Sequence, residues 1–182
     1  MKTLLHIAIA GTGYVGLVTG VCLAYTGQHV WCVDSNEQKI NTLTAGKSPI
    51  YETDLEKYMA LAKSNLIYTC DYAEAYRNAD VIFIAVGTPE SSDGSANTDF
   101  VYNVARQIAE TVEKDCVIVV KSTVPIGTND KIEAFIKSNL KHNVRIEVAS
   151  NPEFLAQGTA VRDTLHASRI VLGVESKEAE EI

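Results

Sequence analysis

Short β-branched and aliphatic runs alternate along the chain with stretches whose apolar positions recur at helical spacing. Residues 4–10 read as a strand that runs into glycines, 15–26 as a helix, 29–34 as a strand and 37–44 as a helix. Beyond the turn Gly46-Lys47-Ser48-Pro49 the pattern predicts a short helix over 54–62 and a strand over 66–69. A short helix over 72–76 precedes a strong strand over 80–86. The polar loop 90–98 then leads to a helix over 99–112. A strand over 116–121, a helix over 128–139, a strand over 145–150 and a last strand over 169–174 complete the series. Ser176 is placed to cap a further helix that begins at Lys177.

The runs VIFIAV and CVIVVK are nearly continuous in apolar residues, as strands covered on both faces must be. Strands alternating with helices in this way imply an α/β domain, a doubly wound, mostly parallel sheet with helices on both faces. The 182 residues suffice for one such domain and are short for two, so residues 1–182 read as a single unit.

Composition narrows the classes of partner. A net charge of −7 speaks against a general nucleic-acid binder, although a local basic pocket can still hold a phosphate. The apolar runs are too short to span a bilayer, and residues 4–10 lack a cleavage pattern, so the reading is a soluble, cytoplasmic protein rather than a secreted one. Cys22, Cys32, Cys70 and Cys116 form no C-x-x-C pair and read as reduced, structural thiols. The four histidines are scattered, with no metal-ligand spacing.

One motif carries chemistry directly. Gly11-Thr12-Gly13-Tyr14-Val15-Gly16 is a G-x-G-x-x-G between a predicted strand and a predicted helix, and Asp34 ends the next strand eighteen residues after Gly16. This is the fingerprint of a Rossmann-type dinucleotide site. Gly11 permits the tight turn, Gly13 lets the backbone approach a diphosphate, and Gly16 lets the helix pack close to the sheet. The helix tip then meets the diphosphate with free N–H groups and the positive end of its dipole. Asp34 is placed to accept from both ribose hydroxyls and to repel a 2′-phosphate, which selects NAD over NADP. Lys39 either contacts the ribose surroundings or is a solvated surface lysine. Tyr14 sits where cofactor or substrate passes.

Further polar turns follow later strands: Val86-Gly87-Thr88-Pro89, Ser122-Thr123-Val124-Pro125 and Asn151-Pro152-Glu153-Phe154-Leu155. In an open parallel sheet all three fall at the carboxyl edge, where ligands bind.

Taken in order, GTGYVGL, VDSNEQKI, SPIYE, VGTP, KSTVPIGT, NPEFL, GTAVRD and RIVLG resemble the UDP-glucose/GDP-mannose dehydrogenase family over nearly the whole chain. SPIYE together with NPEFL leans towards the UDP-glucose branch and away from the N-acetylmannosamine branch. The resemblance implies an enzyme that oxidises a sugar C6 alcohol to a carboxylate with two NAD in succession. A cysteine thiolate carries the intermediate thiohemiacetal and thioester. It implies a cofactor set of Gly11, Gly13, Tyr14, Val15, Gly16, Asp34, Lys39, Gly87, Thr88, Pro89, Ser122, Thr123 and Gln157. Thr123 and Glu153 match catalytic positions, the first at the reacting end of the nicotinamide site and the second at thioester hydrolysis. Glu153, Phe154, Leu155, Ala156 and Gln157 match the loop along the substrate.

Two local departures stand out. Gln157 replaces a glutamate common in the family, and an amide cannot act as a base. Thr53-Asp54 stands where Pro-Gly is common. None of the four cysteines lies in a motif like that of the family's catalytic cysteine. The chain is therefore expected to be the NAD-binding part of a longer enzyme, binding NAD without turnover, as a monomer or weak dimer where the full enzyme is a homo-oligomer that takes a UDP-sugar. The rivals are GDP-mannose oxidation, a hydroxyacid dehydrogenase of the 6-phosphogluconate group, and a stand-alone NAD-sensing module.

Overall fold

The computed structural model describes residues 4–182. Strands β1 (His6–Ala10), β2 (His29–Val33), β3 (Leu66–Thr69), β4 (Val81–Ile84), β5 (Cys116–Val120) and β6 (Ile146–Ser150) form one sheet. Its order is β3-β2-β1-β4-β5-β6, and every pairing is parallel. The chain winds outwards from β1 in one direction and from β4 in the other. The carboxyl ends of these two central strands therefore flank the point where the winding reverses, and a crevice opens there.

Alternation along each strand sorts the core into two layers. Ile7 and Ile9 of β1, with Val117 and Val119 of β5, meet helices α1 (Tyr14–Tyr25), α2 (Glu37–Thr44) and α3 (Leu55–Leu61) on one face. Ala8 and Ala10, with Ile118 and Val120, meet α4 (Tyr72–Arg77), α5 (Asp99–Thr111) and α6 (Thr128–Asn139) on the other. Helix α1 is apolar nearly all round, with eight buried residues, because the sheet lies beneath it and α3 and a later helix, α7 (Ala160–Leu165), flank it. Helix α5 shows the ordinary amphipathic stripe instead, with Val101, Val104, Ala105, Ile108 and Ala109 inward.

Most expected elements form within two residues of their predicted limits. The strand expected over 169–174 does not. Gly173 makes a single antiparallel bridge to Ser150, and Ile170 and Leu172 stay 72% and 51% exposed. β-Propensity there lacks the packing that turns it into a strand, so the sheet is wholly rather than mostly parallel. Helix α7 was not expected. It is one and a half turns long and is held by burying Ala160 and Val161 against the first core layer. The final helix, α8 (Lys177–Glu181), has its expected cap, with the Ser176 hydroxyl accepting from the Ala179 N–H. At Asp54, where a glycine is common in the resembling family, the backbone is left-handed with φ 61°.

Candidate functional site

The glycine turn lies at the carboxyl end of β1, and steric contact explains Gly11 and Gly16. Gly11 has φ +99°, and a Cβ there would stand 2.7 Å from the Ala85 carbonyl oxygen. A Cβ on Gly16 would stand 2.0 Å from the Gly11 oxygen, so this residue lets the first turn of α1 close onto the loop. Gly13 is different in kind, because a Cβ there would meet nothing within 4 Å. The space above it is open on the ligand side. Sequence reasoning gave the close helix–sheet approach to Gly16 alone. Gly20 shares that task, since a Cβ there would reach 2.5 Å from the Cys32 sulfur.

Helix α1 starts bare. Gly13 is its N-cap, no side chain caps it, and its first turn holds no acid. Its leading N–H groups are left for an external acceptor, next to the positive end of the dipole. A diphosphate fits this tip and the open space over Gly13.

Asp34 follows β2 and turns towards the same tip. Its Oδ2 accepts from the Thr12 N–H at 3.0 Å, the Thr12 hydroxyl at 2.7 Å and Lys39 Nζ at 2.6 Å, and its Oδ1 accepts from the Asn36 N–H at 3.0 Å. Burial pushes this carboxyl up, but Lys39, Thr12 and Asn36 together outweigh burial and hold it below the ordinary carboxylate range. Lys39 is thus neither free nor a solvated surface lysine. Asn36 caps α2 by accepting from the Lys39 N–H, which sets Lys39 one turn from Asp34. An anchored carboxylate beside a glycine turn is arranged to receive hydroxyl donors.

The later strand ends converge on the same edge. Ser122 donates to the Val86 carbonyl at 2.7 Å, and the Thr88 hydroxyl donates to the Thr123 carbonyl at 2.8 Å. These two hydroxyls tie the loops after β4 and β5 together. Gly87, Pro89 and Thr123 are exposed beside them. Lys121 reaches Asn151 Oδ1 at 2.9 Å, which fastens the loop after β6 to the end of β5. Burial lowers the Lys121 ammonium, and the charge of Glu153 opposes that shift. In the 153–157 loop Glu153 is half-buried and Leu155 packs on the core. Phe154 lies under the Arg169 guanidinium at 5.2 Å, and Ala156 and Gln157 are exposed.

Tyr14 connects the cofactor turn to that loop. Its hydroxyl bonds Glu52, and both groups accept from the Gly158 N–H, the Glu52 carboxylate at 2.7 Å and the phenol oxygen at 3.0 Å. Sequence reasoning missed Glu52, although it ends the SPIYE stretch. Its partners lie 38 and 106 residues away, so no local pattern marks it.

A cavity of about 830 Å³ lies against Ile7, Val81, Val117 and Val119 on the sheet face beyond α1, and Lys121 with Glu153, Phe154 and Leu155 of the 153–157 loop also line it. None of the fingerprint glycines lines it, so it is separate from the dinucleotide turn. All four cysteines are free. Burial pushes the thiols of Cys22, Cys32 and Cys116 up to about 12, which leaves them poor nucleophiles.

The chain is similar to known proteins over nearly its whole length. A UDP-glucose 6-dehydrogenase of Bacillus subtilis, YwqF, is 48% identical over 176 residues, covering 96% of this chain and 40% of that protein. The structure of a UDP-glucose dehydrogenase from Pyrobaculum islandicum superposes with TM-score 0.94 at 35% identity, over 99% of this chain and 43% of that one. A GDP-mannose dehydrogenase from Pseudomonas aeruginosa superposes at 0.90 with 34% identity, over 97% of this chain and 42% of that one. The chain therefore spans about 40% of the length of the curated relatives it matches. The model of the UDP-glucose/GDP-mannose dehydrogenase family's NAD binding domain matches residues 5–182, and to the NAD binding domain of that family this chain belongs.

Proposed function

We propose that this domain serves a UDP-glucose 6-dehydrogenase, holding NAD between the α1 tip and Asp34 and presenting it to a UDP-sugar along the 153–157 loop. The observation that carries the reading is Asp34. A half-buried carboxylate, kept ionised by Lys39 and Thr12, stands beside an uncapped helix tip with open space over Gly13. The relatives that match at 40–48% identity are UDP-glucose 6-dehydrogenases, which favours that sugar over GDP-mannose.

In this reading the N–H groups at the start of α1, around Tyr14, Val15 and Gly16, take the diphosphate, and Asp34 takes the adenosine ribose. The braced loops of Gly87, Thr88 and Pro89, and of Ser122 and Thr123, line the path to the nicotinamide end, with Gln157 opposite. NAD, when bound, supplies the hydride acceptor. Thr123 holds the reacting oxygen or a water, and Glu153 receives a proton from water during hydrolysis of the acylated enzyme. Cys22, Cys32 and Cys116 are buried with raised thiols and Cys70 lies in no matching motif, so this reading places the nucleophile outside this chain. The four free thiols suit a cytoplasmic setting, and the domain on its own is a monomer or weak dimer.

Calorimetric titration tests this. NAD binds the wild type more tightly than NADP, and Asp34→Ala weakens NAD by about 10- to 150-fold, the equivalent of one hydrogen bond to a charged group. Equal affinity for the two cofactors would overturn the role of Asp34. Sustained NADH formation from UDP-glucose by this chain would overturn the placing of the nucleophile.

A further inference from the structure

We infer that Glu52 is a positioning residue, a clasp that couples occupancy of the cofactor turn to the setting of the 151–158 substrate loop. It sits between α2 and α3, in neither the glycine turn nor that loop, yet it bonds one residue of each. Tyr14 belongs to the fingerprint, and its backbone starts α1 where the diphosphate is held. Gly158 follows Gln157 directly, and its φ of +90° restricts that backbone geometry to glycine in practice.

The energetics argue for a specific task. Glu52 is only 7% exposed, and its second oxygen, Oε1, has no hydrogen-bond partner among the described residues. Burying a carboxylate is costly unless it is paired, and packing alone would be served better by an apolar side chain of similar volume. The interactions that offset this cost converge on one oxygen, Oε2, which receives the Tyr14 hydroxyl and the Gly158 N–H. Burial, and then the bond to Glu52, push the Tyr14 phenol above its ordinary range, which keeps it a neutral donor. Tyr14 and Gly158 are 144 residues apart in the chain, and this triad joins them directly. A ligand that fixes the turn must then also fix the loop, and by linkage a substrate that fixes the loop must tighten the cofactor.

This coupling rests on NAD binding at the turn, and its test separates the two claims. Amide hydrogen exchange over residues 151–158 is followed with and without NAD in the wild type, Glu52→Gln, Glu52→Ala and Tyr14→Phe, with calorimetry on the same samples. The Gly158 amide should exchange about tenfold or more faster in Glu52→Ala than in the wild type. NAD should slow exchange of 151–158 in the wild type and in Glu52→Gln, whose amide oxygen can still accept both bonds. It should fail to do so in Glu52→Ala, even where calorimetry shows NAD bound. Tyr14→Phe should keep part of the unliganded protection of Gly158 and lose the response to NAD. If Glu52→Ala does not fold, the contrast between Glu52→Gln and Tyr14→Phe decides. Equal NAD response in all folded variants would overturn the clasp. A wild type that takes up no NAD would instead sink the functional reading, and the unliganded Gly158 rate would still judge the clasp.

Discussion

Replacing Gly13 and Gly16 by alanine, one at a time, separates a glycine kept for the ligand from a glycine kept for the fold. Gly13 has φ −70° and ψ −170°, a conformation alanine adopts without strain, and its Cβ would enter open space. Alanine is a poorer N-cap than glycine, but it also lowers the entropy of the unfolded chain by an equivalent of about 0.4–1 kcal/mol. These effects nearly cancel, so the Tm of Gly13→Ala should stay within about 3 °C of the wild type. At Gly16 the added Cβ would lie 2.0 Å from the Gly11 oxygen and 3.2 Å from the Ala85 Cβ. Both neighbours are braced, because the Gly11 N–H bonds the Val33 carbonyl and the Ala85 N–H bonds the Ala10 carbonyl. Overpacking against such neighbours costs about 3 kcal/mol or more, which lowers Tm by about 6–12 °C in a domain of this size. Affinity should reverse the ranking among folded proteins. At Gly13 the new methyl would stand where the proposed site brings the diphosphate in, and losing one charge-assisted hydrogen bond there would weaken NAD by about 10- to 150-fold. Thermal unfolding and NAD titration on the same preparations check both halves. A Gly13→Ala protein that binds NAD like the wild type would refute the reasoning, as would a Gly16→Ala protein with unchanged Tm.

Two further outcomes follow from the charges and thiols. Asp34 has a folded pKa held below its unfolded value, so its contribution to stability is present at neutral pH and disappears as pH falls below about 4, through the depressed folded value. Asp34→Asn should therefore narrow its stability deficit relative to wild type as urea unfolding is repeated from pH 6 downwards, and a deficit that stayed constant to pH 2 would count against the Lys39–Asp34 pair. Cys70 is exposed and the other three thiols are buried, so a water-soluble thiol reagent should modify one cysteine of the native protein and four after unfolding. Rapid modification of two or more native thiols would show that the packing around α1 and β5 is looser than described.

The order of strands and helices, the glycine turn after β1 and the placing of Asp34 at the end of the next strand were legible in the residues themselves, because each depends on local physics. Apolar runs such as 81–86 make strands wherever both faces are covered, and Gly11, the first glycine of G-x-G-x-x-G, bends the chain at φ +99° by backbone freedom that no other residue supplies. Helix α7 escaped because packing of Ala160 and Val161 against the first core layer, and not a local pattern, makes it. The strand expected over 169–174 failed for the converse reason, since its propensity found no second layer. The burial of Glu52 between Tyr14 and Gly158 required the folded chain. Sequence carries the kind of each group and its local conformation, whereas hydrogen bonds spanning 38 to 144 residues exist only once the sheet has brought their partners together.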